Sequence, residues 1–212
     1  MTNYEIRAKA RQDLGGKIFS ESWLTALAAS LIYSLLIGAI SAIPAVGQIA
    51  SLLLAGPLLL GISSFYLSLA KGGKPTIGDI FNGFDDFANV FMLNLIMGIF
   101  IFLWSLLFII PGIVKSYAYS MAYYIKRDNP SYSWKQCLDE SQRIMKGHKA
   151  DLFCLHLSFI GWAFVCMFTL GIGCLWLTPY IMASNANFYE SITLNDEYGS
   201  HEEGFFQTSG NF

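Results

Sequence analysis

Gly147, His148, Lys149 and Asp151 sit together in one short stretch, and His156 follows five positions after Asp151. A lysine ammonium beside exposed backbone amides could hold a phosphate there. An imidazole beyond a carboxylate could carry a proton in a coupled transporter. The plainer reading is that Gly147 ends a helix and the charges meet a membrane surface. Lys115, four positions past Pro111, sits in an apolar run. Its stem could carry the ammonium out to an interface, or it could face inward onto an anionic headgroup or a carboxylate. Asn94, His156, Asn185 and Asn187 are polar side chains within or near apolar segments, where a partner on another helix is needed. Tyr117, Tyr119, Tyr123 and Tyr124 follow Lys115 and could line a polar path, although interfacial packing explains them as well. The expected ligand-contacting residues are therefore Lys115, Asn94, His156, Asn185, Lys149 and Asp151.

Other chemistry finds little footing. The sequence contains no G-x-x-x-x-G-K-[ST], no G-x-S-x-G and no H-E-x-x-H. Cys137, Cys154, Cys166 and Cys174 lack the paired spacing that a zinc site needs, and they read as apolar thiols. Asp85 and Asp86 are adjacent, so on a helix they point about 100° apart and make a poor acid/base pair. No cofactor or metal is expected, and the chain reads as a non-enzyme. Its few basic residues lie too close to apolar runs for nucleic-acid recognition.

The elements that carry these residues are long and greasy. The chain has 212 residues, 54% hydrophobic and 13% charged, against about 25% charged in a soluble domain. Its mean hydropathy is +0.47. Three times a charged, aromatic-bearing stretch leads into an apolar run, a Gly/Pro turn and a second apolar run. These hairpins cover about 23–70, 87–127 and 152–192, turning at residues 44–47, at Pro111-Gly112 and at residues 171–173. Runs of about twenty residues match the hydrocarbon thickness of a bilayer. The predicted fold is all-α: a polytopic transmembrane bundle of six spans in three hairpins, forming one membrane domain over 1–193. The first run is too long, and too far from the start, for a cleaved signal segment.

Charge sets the orientation. Arg7, Lys9, Arg11 and Lys17 precede the first run, Lys71 and Lys74 separate the first two hairpins, and six Lys or Arg separate the second from the third. The tight turns carry none. By the positive-inside bias the long connections and both termini are cytoplasmic, in a cell membrane. The polar segments read as interfacial amphipathic helices: residues 1–21 ending near Gly15-Gly16, a face of Ile77, Ile80, Phe81 and Phe84 opened by Thr76 and Asp79, and a helix opened by Ser133 and Gln136. Span four is expected at 113–125. The acidic stretch 194–212, free of Lys and Arg, is expected to be disordered. Common motifs at the start of each hairpin, such as Phe19, Phe87 and Phe153 after short charged stretches, suggest a parallel triplication, unlike inverted transporter repeats.

The second half adds a more specific signature. The strings LWSLLFIIPGIVKSYAYSMAYYI (103–125), SQRIMKGHKADLF (141–153), LSFIGW (157–162) and TLGIGCLWLTPY (169–180), with Asp128-Asn129-Pro130, closely resemble the bacterial membrane family catalogued as domain of unknown function 975. The resemblance covers most of 1–193. It implies a six-helix integral membrane protein, mostly from Gram-positive bacteria, without an assigned activity. The architecture is also similar to the membrane domain of some glycerophosphodiester phosphodiesterases, an analogy of fold alone. The expected role is non-enzymatic, in envelope or lipid-associated assembly, with membrane lipids and other membrane proteins as partners. The alternatives are a small-molecule or lipid transporter or channel, and a membrane enzyme acting on lipid.

Overall fold

The computed structural model describes residues 2–16, 20–43, 46–107, 109–168 and 172–209. The turns expected at 44–47 and 171–173 therefore fall partly outside the described residues, as do Lys17 and Phe19. Among the described residues all regular structure is helical: α1 (Asn3–Asp13), α2 (Glu21–Ser41), α3 (Val46–Ala70), a 3-10 helix (Ile77–Phe84), α4 (Phe87–Leu107), α5 (Ile109–Tyr119), α6 (Ala122–Asp128), α7 (Trp134–Ile144), α8 (Lys149–Phe168) and α9 (Ile172–Ser209). Three of these, over Glu21–Ile40, Ala50–Ala70 and Phe87–Leu106, are long and apolar enough to cross a membrane.

Local chemistry accounts for the ends. Ser133 and Gln136 cap α7 reciprocally, the Gln136 side chain accepting the Ser133 amide at 2.8 Å. Asp79 accepts the Thr76 amide at 2.7 Å at the start of the 3-10 helix. Gly15 and Gly16 end the first helical segment with φ of 91° and 69°, a left-handed conformation that suits glycine.

The expected fourth span is two helices. α5 ends at Tyr119 and α6 begins at Ala122. Between them the Ser120 hydroxyl bonds back to the Tyr117 carbonyl at 2.8 Å, competing with the regular backbone ladder. α9 runs from Ile172 to Ser209, and after Pro179 the sequence holds no proline to interrupt it.

Burial divides the bundle into two zones. From Pro57 onward α3 is largely buried, and so is α9 around residues 183–189. These stretches are sheathed by α1, the 3-10 helix, α6 and α7, around a core that includes Ile6, Phe65, Ile80, Met121, Met145 and Phe188. The 3-10 helix meets α3 backbone to backbone. A Cβ on Gly61 would lie 1.7 Å from the Ile80 carbonyl oxygen, and one on Gly83 1.9 Å from that of Pro57. Away from the sheath the helices are bare. Leu35, Leu52, Ile99, Phe102, Leu106, Leu157 and Trp162 are exposed apolar side chains. Contiguous exposed apolar surface marks an interaction face, here of the kind that lipid covers.

α1 docks along α9, burying Ile6 and Ala10 on its apolar stripe and Leu14 at its C-terminal cap.

Candidate functional site

Ion pairs and charge-assisted hydrogen bonds gather at the sheathed end. Lys126, nearly inaccessible to solvent, donates to Asp86 Oδ2 at 2.6 Å and to the carbonyls of Pro130 and Tyr132 at 2.7 and 2.8 Å. Burial pushes the Asp86 carboxyl upward, but the hydrogen bonds from Lys126 and Asn89 outweigh it and leave it below the ordinary range. Lys71 pairs with Asp128 at 2.7 Å, and the Tyr189 hydroxyl also donates to Asp128, at 3.2 Å. On α1, Lys9 pairs with Glu190 of α9, and Asp13 accepts from Asn187 at 2.7 Å. Burial raises the Asp13 carboxyl above its usual range despite that bond.

Beside these pairs lies a polar cavity of about 250 Å³, lined by Ser64, Ser68, Lys74, Asp79, Asn82 and Arg127 together with Pro75. α3 supplies the two serines one helical turn apart, on a single face. α6 supplies Arg127, whose guanidinium donates to the Ser68 hydroxyl at 3.2 Å. The loop after α3 supplies Lys74. Asp79 is occupied by the Thr76 amide and, at 3.3 Å, by the Asn82 side chain. Two cations and two hydroxyls therefore converge on one small space, a donor set suited to a phosphate or another anion. A second cavity of about 170 Å³ shares Lys74 and Pro75 and is lined also by Glu21, Ser22, Thr25, Phe65 and Leu69. The sequence reading did not single out this site. Lys74 and Arg127 lie 53 positions apart, and nothing local joins them; only the spacing of Ser64 and Ser68 hints at a shared face.

The residues singled out from sequence are distributed over several places. His156 Nε2 lies 2.9 Å from Asn185 Oδ1, and His156 Nδ1 lies 3.3 Å from the Tyr117 hydroxyl, so both ring nitrogens have partners. His156 and Asn185 line a mostly apolar cavity of about 180 Å³ with Leu59, Ile62 and Tyr123. Asn94 is not part of that lining; it accepts from the Tyr123 hydroxyl at 2.7 Å. Tyr123, which lines the cavity with His156 and Asn185, thus links Asn94 to its edge. Asp151 pairs with His148 at 3.2 Å on the exposed side, while Lys149 begins α8. Lys115 donates to Gln142 of α7 at 2.9 Å and lies 5.5 Å from the Trp104 ring centre.

Cys137 and Cys166 are buried, and Cys154 and Cys174 are exposed. Among the described residues, no group of three or more His, Cys, Asp or Glu side chains is placed to hold a metal ion.

One protein-family model matches the chain, described as a protein of unknown function (DUF975), over residues 1–115 and 106–196. No curated protein and no solved structure matches it.

Proposed function

Because the chain belongs to the DUF975 family, we propose, for a protein whose family carries no assigned role, a non-catalytic membrane protein that binds anionic lipid headgroups at its cytoplasmic face. The carrying observation is the cavity where Lys74 and Arg127 meet Ser64 and Ser68. A lipid phosphate there would receive charge-assisted hydrogen bonds from both cations. Positive charge on the long connections supports a cytoplasmic position for this end and for both termini, in the cell membrane. The three hairpins read from sequence are proposed to cross the bilayer as six spans, a reading supported by three helices long and apolar enough to do so, one each in α2, α3 and α4.

The test is native mass spectrometry of the detergent-purified chain with phosphatidylglycerol or phosphatidylcholine. The natural chain should retain phosphatidylglycerol preferentially, and the pair K74Q with R127Q should lose that preference while keeping its thermal midpoint. Equal retention of both lipids by the natural chain, or an unchanged preference in the variant, overturns the reading.

A further inference from the structure

The two cavities that share Lys74 take neighbouring faces of one helix. Ser64 and Ser68 of α3 line the larger, and Phe65 and Leu69, each one position on, line the smaller. Successive helical residues point about 100° apart, so the two rows form adjoining walls. The loop after α3 closes the border between them. Gly72, at a φ of 76°, turns the chain back, and the Gly73 amide donates to the Ser68 carbonyl at 2.8 Å. That turn carries Lys74 and Pro75 to a place where each lines both cavities.

The smaller cavity has its own chemistry. α2 supplies Glu21, Ser22 and Thr25 from its first two turns, with Glu21 and Thr25 four positions apart on one face. The Thr25 hydroxyl donates to the Glu21 carbonyl at 2.8 Å, so its proton is committed and its oxygen has only lone pairs to offer a ligand. The Glu21 carboxylate also only accepts, while Ser22 can donate or accept. Such a wall calls for a ligand that brings donors. Phe65 and Leu69 add an apolar surface suited to a short carbon skeleton. Lys74 decides the kind of donor, because an ammonium beside it would be repelled and a hydroxyl would not. The volume of about 170 Å³ is well above the roughly 10–15 Å³ that one water needs, which leaves room for a three-carbon alcohol.

We infer that the lipid held by Lys74 and Arg127 carries a polyol beyond its phosphate, a glycerol-type alcohol whose hydroxyls enter the smaller cavity and donate to Glu21 and Thr25. This inference rests on the anion-binding reading of the larger cavity and adds a selection rule to it. The larger cavity takes the phosphate, and its neighbour chooses among phosphates by the alcohol esterified to them. Lys74, on the border, keeps the phosphate end of the headgroup in register with the polyol end.

The test compares retention of four lipids by the detergent-purified chain in native mass spectrometry: phosphatidylglycerol, phosphatidylpropanol, phosphatidylethanolamine and phosphatidylcholine. Phosphatidylpropanol has the charge and the three carbons of phosphatidylglycerol but no free hydroxyl. The natural chain should hold phosphatidylglycerol at least about fivefold over phosphatidylpropanol, the worth of one or two hydrogen bonds. It should hold phosphatidylpropanol in turn over phosphatidylcholine. E21A with T25V should bring phosphatidylglycerol down to the level of phosphatidylpropanol and leave both above phosphatidylcholine, since Lys74 and Arg127 are intact. Equal retention of the two anionic lipids by the natural chain, both above phosphatidylcholine, overturns the polyol inference while the anion reading stands. Phosphatidylethanolamine held as well as phosphatidylglycerol overturns the choice of hydroxyl over ammonium. Undiminished discrimination in the double variant overturns the placement. If phosphatidylpropanol is held no better than phosphatidylcholine, the anion reading falls and this inference falls with it.

Discussion

Lys126 Nζ and Asp86 Oδ2 lie 2.6 Å apart although 40 positions separate them, and the lysine is nearly sealed from solvent while the carboxylate is not. This contact ties the start of α4 to the end of α6 and anchors the loop leading to α7. Replacing Lys126 by Met leaves the Pro130 and Tyr132 carbonyls and the carboxylate without their donor. A loss of about 2 kcal/mol is expected. Thermal unfolding in detergent should show it, with D86N costing less because Asp86 retains access to water.

The same pair sets an acid limit. Asp86 is held below the ordinary carboxylate range, so its contribution is present above the unfolded value and is lost as pH falls through the lower folded value. Stability of the natural chain should drop below about pH 4. That part of the drop should be absent in D86N.

Asp13 behaves with the opposite sign. Its folded carboxyl titrates above the ordinary range, so its favourable contribution exists at low pH and is lost as pH rises through the folded value. Asp13→Asn keeps an acceptor for Asn187 and removes the buried charge. The variant should melt higher than the natural chain at pH 7 and converge with it in acid.

Gly61 is the closest backbone contact between α3 and the 3-10 helix, its hypothetical Cβ 1.7 Å from the Ile80 carbonyl oxygen. Gly61→Ala forces these elements apart and should cost about 1–3 kcal/mol. Gly98→Ala, where a Cβ meets nothing, should be tolerated.

What could be read from the sequence follows the range of the interactions. Capping by Thr76 with Asp79 and by Ser133 with Gln136 spans three residues, and both pairs form. Length and hydropathy marked the apolar helices, because those properties are local sums. The docking of α1 depends on Lys9 meeting Glu190 and Asp13 meeting Asn187, more than 170 positions away, and no periodicity encodes such partners. Lys115 bonds to Gln142, 27 positions on and on another helix, a partner that its distance from the Pro111 turn does not indicate. The Lys74–Arg127 cavity has no local signature in the sequence for the same reason.

Thiol reactivity offers a further check. Cys137 is buried, and loss of hydration pushes its thiol up to about 11. It should stay unmodified at pH 7.5 from either face and react only after unfolding. Exposed Cys174 should react in intact cells.

The division into a sheathed polar end and a bare apolar end is tested most directly by a carbene photolabel dissolved in the bilayer, with modified peptides mapped by mass. Modification should concentrate on Leu52, Ile99, Phe102, Leu106, Leu157 and Trp162, and spare α1, α6 and the exposed face of α7. Heavy modification of α1 and α7, or an unmodified α4, would contradict the account.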